Sequence, residues 1–171
     1  MKLNAVVLAA LAFTGAAFAQ GAPNDAQIAH IVVTANQVDI DAGKLAESKA
    51  SDPQVKAFGK QMVTDHTGVN QQAVALAKKL NVTPQDNATS QALKAGGADN
   101  VKKLNGLSGA AFDKAYVDHE IAYHEQVLDA IDKVLVPNAR NEELKALIVK
   151  VRPAFVAHLE HARMVKSSLK G

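Results

Sequence analysis

The stretch Phe112-Asp-Lys-Ala-Tyr-Val-Asp-His-Glu-Ile-Ala-Tyr-His-Glu-Gln-Val-Leu-Asp-Ala-Ile131 decides the fold. Val117, Ile121, His124, Leu128, Ile131 and Leu135 recur at spacings of four and three. That is the repeat of one helix face. A histidine therefore stands in the middle of an apolar stripe, bordered by Tyr116, His119, Glu120 and Tyr123. A buried imidazole needs polar partners, and other segments must supply them. The pattern predicts a helix from about Ser108 to Val136, ended by Pro137-Asn138.

On the C-terminal side a second helix begins near Asn141, a capping residue followed by Glu142 and Glu143, whose charges suit a helix N-terminus. Its stripe is Leu144, Leu147, Val151, Phe155, His158, Ala162, Val165 and Leu169. Pro153 inside this pattern removes one backbone hydrogen bond and predicts a kink about one turn before His158. Upstream, Ser51-Asp-Pro-Gln54 is a stop and restart, with Asp52 as cap and Pro53 at the first helical position. The helix before it runs from about Ala26 to Ala50, with Ile28, Ile31, Val32, Ala35, Val38, Ala42 and Leu45 inward and Asp39 beside them. Gly43 costs about 1 kcal/mol there unless it permits close packing. The helix after it runs from about Pro53 to Leu80, its stripe being Val55, Phe58, Met62, His66, Val69, Ala73, Leu76 and Leu80, with Asp65 next to the histidine.

Residues 81–107 differ in kind. Asn81-Val-Thr-Pro-Gln-Asp-Asn87 and Ala95-Gly-Gly-Ala-Asp-Asn100 are turn chemistry, with short helical pieces at Ser90–Lys94 and Asn100–Leu104. So long a connection suits a crossover along a bundle. No strand-like alternation and no internal repeat is present. The expectation is all-α: a ferritin-like four-helix bundle with short links at 1–2 and 3–4 and a long crossover at 2–3.

The N-terminus reads as an export signal. Met1-Lys2 is a positive start, Leu3–Phe13 is apolar, and Ala17-Phe-Ala19 offers small residues for cleavage after Ala19. The run is shorter than the ~20 residues a bilayer requires. Residues 1–19 are thus expected to be a signal peptide and 20–171 one domain, released into the periplasm. No later segment reads as transmembrane. Of the 171 residues none is cysteine, which excludes disulfides and thiolate chemistry. Trp is absent and the net charge is only +2. Stacking platforms and a nucleic-acid interface are therefore not expected. Nothing names a partner protein, and a homo-oligomer is compatible with this composition.

His66, His124 and His158 each lie near the middle of a predicted helix, and so does Asp39. At ~1.5 Å rise per residue, antiparallel packing brings all four to one height. Such a layer would suit a transition metal: imidazole fits Zn, Cu or Fe, and a carboxylate adds charge. Asp65 is a ligand or a partner that orients His66. Glu120 is a further candidate ligand. His119 and His161 lie off the seam centres and are expected at the surface, although His161, one turn from His158, could chelate with it. Tyr116, Tyr123 and Met62 read as core. No Glu precedes any of the three histidines by three, so the di-iron Glu-x-x-His signature is missing. No nucleophile triad, phosphate loop or nucleotide fingerprint appears.

The pieces Asp39-Ile-Asp-Ala-Gly-Lys-Leu-Ala46, Val55-Lys-Ala-Phe-Gly-Lys-Gln-Met-Val-Thr-Asp-His66 and Phe112-Asp-Lys-Ala-Tyr116, with His124, Pro153 and His158, carry a resemblance. Over nearly all of the chain after the leader, the protein resembles the bacterial family catalogued as domain of unknown function 4142. That resemblance implies a ferritin-like four-helix fold and an envelope location, including outer-membrane association. It implies no established activity. The family pattern has histidines at the places of His66, His124 and His158, and an acid, usually Glu, at the place of the shorter Asp39. Three functions follow as expectations: a periplasmic bundle binding a transition metal, a non-catalytic envelope or stress-response protein whose polar layer fixes packing, and an enzyme with an open metal site.

Overall fold

The computed structural model describes residues 22–169, whose regular structure is all helical, with no strand among them. The expected signal peptide lies outside these residues. The elements are α1 (Asp25–Lys49), α2 (Pro53–Lys79), α3 (Ala88–Asn105), α4 (Gly109–Ala130), a π segment (Ile131–Leu135), the single turn α5 (Val136–Asn138) and α6 (Glu142–Ser168). Among them no helix is long and apolar enough to cross a membrane.

Each start has a local cause. Asn24 and Gln27 form a reciprocal capping box at α1, and Asp52 accepts from Gln54 and Val55 at α2. Asn141 does the same for Glu143 and Leu144 at α6. Two carboxylates then tie helix ends together across the molecule. Asp113 of α4 accepts from the Ser51 and Asp52 backbone and from the Ser51 hydroxyl. Asp25 of α1 accepts from the backbone N–H groups of Arg140 and Asn141.

The link expected to be loops with short helical pieces is instead one helix of 18 residues. Asn87 and Ser90 cap it reciprocally. The Gly96-Gly97 pair, read as a turn, lies within it. The reason is packing against α1, since a Cβ on Gly97 would fall 2.8 Å from a methyl of Val38. The helix starts where the Asn87 side chain donates to the Gln27 carbonyl. It ends where Lys49 reaches the Leu104 and Asn105 carbonyls. It therefore runs alongside α1 and in the same direction, carrying the chain from the end of α2 to the start of α4.

The second difference is at the end of α4. A continuous helix to Val136 was expected, but the last turns are π-wound over Ile131–Leu135, a form that holds one more residue per loop. Ile131 and Leu135 stay buried. The seam of α4 is also rotated from the expected one. Phe112, Tyr116, Glu120, Tyr123, His124 and Val127 are buried, while Ile121 and Leu128 are half-buried.

Two apolar clusters fill the interior. One joins Ile28–Val38 of α1, Ala73 of α2, Tyr123–Leu135 beyond the middle of α4, and Leu144–Phe155 of α6. The other joins Ala42–Ala50 of α1, Val55–Met62 of α2, Phe112–Val117 of α4, and Ala162 and Val165 of α6. This membership fixes the directions: α1 and α6 run one way, α2 and α4 the other. It also leaves one gap in every helix. Asp39, His66, Glu120 with His124, and His158 all fall between the two clusters. Close approach of α1 and α2 beside this gap depends on Gly43 and Gly59. A Cβ on Gly43 would meet the Gly59 carbonyl at 2.8 Å, and one on Gly59 would meet the Ala46 Cβ at 2.7 Å. That close packing offsets the helix cost of Gly43.

Candidate metal centre

Four helices each send polar groups into the gap. Asn36 and Asp39 come from α1, His66 from α2, Glu120 and His124 from α4, and His158 from α6. All are buried, with His66, His124 and Glu120 fully enclosed. The ring centroids of the three histidines stand 5.7 Å (His66–His124), 5.1 Å (His66–His158) and 5.5 Å (His124–His158) apart. One ring nitrogen from each lies within 4.8 Å of the other two. Phe155 packs against all three rings.

The hydrogen bonds assign the tautomers. The Asn36 side-chain amide donates to the Val32 carbonyl at 2.7 Å, so its oxygen is the atom 2.7 Å from His66 Nδ1. An oxygen there accepts, and Nδ1 must carry the hydrogen. His124 Nδ1 lies 3.0 Å from the Glu120 backbone carbonyl and donates to it. His158 Nε2 lies 2.9 Å from Asp65 Oδ2 and donates to that carboxylate. The other nitrogen of each ring is Nε2 of His66, Nε2 of His124 and Nδ1 of His158. None of these three has a hydrogen-bond partner.

Carboxylates face them. Asp39 Oδ2 is 3.2 Å from His66 Nε2 and 4.0 Å from His124 Nε2. Asp39, Glu120 and His124 also offer one ligand atom each within 4.8 Å of one another. The Glu120 and Asp39 carboxyls hydrogen-bond to each other and to no other side chain.

Protonation follows from burial and proximity. Burial pushes Glu120 well above the ordinary carboxyl range, and the charge of Asp39 pushes it further. Both causes favour the protonated form of Glu120. Burial also works against the charge of Asp39, but nearby His66 and His124, with a hydrogen bond from the Glu120 carboxyl, outweigh that and hold its carboxyl below its usual value. Burial lowers His66 to about 4, against the opposing pull of Asp39. It lowers His158 too, against the hydrogen bond that His158 donates to Asp65. The layer thus sets imidazole nitrogens beside an enclosed carboxylate, each favouring the charge of the other. At 3.2 Å, His66 Nε2 and Asp39 Oδ2 need a proton or a metal ion between them.

The spacing suits such a cation. A tetrahedral ion with ligand atoms at ~2.0–2.1 Å puts those atoms roughly 3.3–3.4 Å apart and imidazole centroids about 5 Å apart. The His66–Asp39 separation of 3.2 Å and the ring spacings of 5.1–5.7 Å are close to both.

The model of the family described as Domain of unknown function (DUF4142) matches residues 10–165. The chain belongs to that family. Comparison with curated proteins and with solved structures gives no match. In this DUF4142 chain the helices bring His66, His124 and His158 together, and Asp39 meets His66 and His124 while sharing its ligand group with Glu120 and His124. Glu120, expected at the border of the stripe and as a further candidate ligand, is fully enclosed among them.

Other expectations need correction. Asp65 stands next to His66 in sequence but turns outward to orient His158 instead, because adjacent residues on a helix diverge by about 100°. His119, expected at the surface, is half-buried, stacks on Tyr123 at 5.7 Å and is lowered by burial to about 4. His161 is half-buried as well. Its Nδ1 meets the Gln61 side-chain oxygen at 2.9 Å, and it belongs to neither ligand group. Tyr116, Tyr123 and Met62 are core, as expected. The Tyr123 hydroxyl donates to the Ala35 carbonyl, whereas that of Tyr116 has no hydrogen-bonded partner. Asn36 was missed. It lies one turn after Val32 and three residues before Asp39 on the inward face of α1. A mid-helix amide on an apolar stripe was the signal that could have found it.

Proposed function

We propose that this protein is an exported, periplasmic, ferritin-like bundle that holds one divalent transition-metal ion in its interior. In this reading the leader is cut after Ala19. Helices α1, α2, α4 and α6 form the bundle, with α3 on the crossover. The ion is bound by His66 Nε2, His124 Nε2, His158 Nδ1 and Asp39 Oδ2, a donor set that suits Zn²⁺, Cu²⁺ or Fe²⁺.

One observation carries the reading: three fully or nearly enclosed histidines each offer a ring nitrogen within 4.8 Å of the other two, while a second nitrogen of each is held by Asn36, the Glu120 carbonyl or Asp65, and the Asp39 carboxylate stands beside His66 and His124. A polar layer that served packing alone would pair its hydrogens with its acceptors internally. Here acceptors outnumber hydrogens. Charge supports the same conclusion. Asp39 places a carboxylate in an enclosed layer, where burial opposes its charge and only the nearby imidazoles and the Glu120 carboxyl favour it. A divalent ion that displaced the Glu120 proton would leave the layer neutral. Four protein ligands close a tetrahedron, which favours holding an ion over turning over a substrate.

The test is titration of untagged, metal-free protein with zinc, copper, iron and manganese salts. The expected result is one ion per chain for at least one metal. Binding should be lost when His66, His124 and His158 are all replaced by Ala. No binding of any of the four metals would reject the reading and leave the layer a packing device.

A further inference from the structure

The enclosed layer poses a question of access. His66, His124, Glu120, Asp39 and His158 are all buried, and so is Asn36. Among the polar side chains hydrogen-bonded to the layer, one stands in water: Asp65, whose side chain is 42% exposed. It meets His158 Nε2 at 2.9 Å. His158 thus spans the wall of the bundle, with one nitrogen on a surface carboxylate and the other bare and inside. Two further side chains hold Asp65 in place along the seam between α2 and α6. Gln61 donates to Asp65 Oδ2 at 3.3 Å, and His161 Nδ1 donates to the Gln61 oxygen at 2.9 Å.

We propose that the Asp65–His158 pair at the α2–α6 seam is the route by which a hydrated divalent cation enters the buried layer, with Gln61 and His161 holding Asp65 in place. The proposal rests on the metal-binding reading above and deepens it. An aqua cation is a hard ion with a full hydration shell, and an exposed carboxylate is its natural first partner. Asp65 draws it to the seam. His158 is the histidine of the three whose side chain reaches that carboxylate; rotation of its ring, which releases the Nε2–H from Asp65 and breaks no covalent bond, brings the bare Nδ1 to the ion as the first protein nitrogen to replace water. Once the ion is inside, Asp65 accepts the His158 Nε2–H again and holds the ring in the metal-binding tautomer, the usual carboxylate–histidine–metal arrangement. No bond to hydrogen is made or broken at Asp65 in this sequence.

Uptake of Co²⁺ by the metal-free full chain, followed by stopped-flow absorbance, tests the route. Asp65→Asn keeps an oxygen to accept from His158 and removes only the charge. It should slow association at least about tenfold at low salt and flatten its salt dependence, as loss of a steering charge does. The dissociation rate should change less than the association rate. Glu47→Gln, at an exposed position on α1, should leave both rates unchanged. Association in Asp65→Asn as fast as in wild type, or an equal slowing in Glu47→Gln, overturns the route while leaving the metal site standing. So does a change confined to dissociation, which would make Asp65 an orienting residue only. Failure of the wild-type protein to take up Co²⁺, together with no binding of zinc, copper, iron or manganese, removes both.

Discussion

Replacing Asn36 with Ala should weaken metal binding although Asn36 is not a ligand. Its oxygen, 2.7 Å from His66 Nδ1, fixes the hydrogen there and leaves Nε2 bare toward Asp39. Without it, Nδ1–H is buried with nothing to accept its hydrogen. An unmet buried donor costs about 1–3 kcal/mol. The ring can recover part of that cost by moving its hydrogen to Nε2, where Asp39 accepts it. That tautomer presents no lone pair to the ion. Loss of such an orienting partner lowers metal affinity roughly 10–100-fold. The converted loss is about 1.4–2.7 kcal/mol. Competition with a chromogenic chelator measures affinity, and urea unfolding of the metal-free protein measures stability. The expected outcome is a dissociation constant raised 10–100-fold, with the metal-free protein less stable by about 1–3 kcal/mol. Affinity within twofold of wild type, with stability reduced, would refute the tautomer argument.

Three other outcomes follow from the same geometry. His66 sits at about 4 when folded against 6.5 when free, so the unfolded chain binds the proton first as pH falls. Its contribution of roughly 3 kcal/mol is present above pH 6.5 and is lost between 6.5 and 4, which urea unfolding of the metal-free protein across that range should show, with the slope reduced in His66→Ala. Glu120 has the opposite sign: its folded value is raised, so it destabilises the metal-free protein increasingly above pH 4.5. Glu120→Gln should therefore be more stable than wild type at pH 7 and lose stability more steeply on acidification; equal stability at pH 7 in urea would count against a protonated Glu120. Gly59→Ala should destabilise by about 1–3 kcal/mol in the same assay, because its Cβ would stand 2.7 Å from that of Ala46 and force α1 and α2 apart.

The three histidines and Asp39 were legible because each interrupts an apolar stripe at the middle of its own helix. Burial by period and depth by residue count were enough to bring them to one height. Glu120 was harder to place, since the α4 stripe was centred on Ile121 and Leu128 when the buried seam runs through Tyr116, Glu120 and Tyr123. Both choices satisfy a spacing of three and four, and only contact with α1 and α6 decides between them. The α3 helix was hidden by Gly96-Gly97, where local propensity favours a turn. What overrides it is the nearness of Val38, distant in sequence. Asp65 was assigned to the wrong histidine because sequence adjacency to His66 says nothing of α6, whose His158 it meets. Family membership added no chemistry beyond what these residues carry.

The most direct measurement is a crystal structure of the zinc-loaded, untagged protein with anomalous data collected at the zinc edge. One peak per chain is predicted between α1, α2, α4 and α6, at about 2.0–2.2 Å from His66 Nε2, His124 Nε2, His158 Nδ1 and an oxygen of Asp39. A peak only at surface groups, or none at any occupancy while the three rings keep their present hydrogen bonds, would contradict the account.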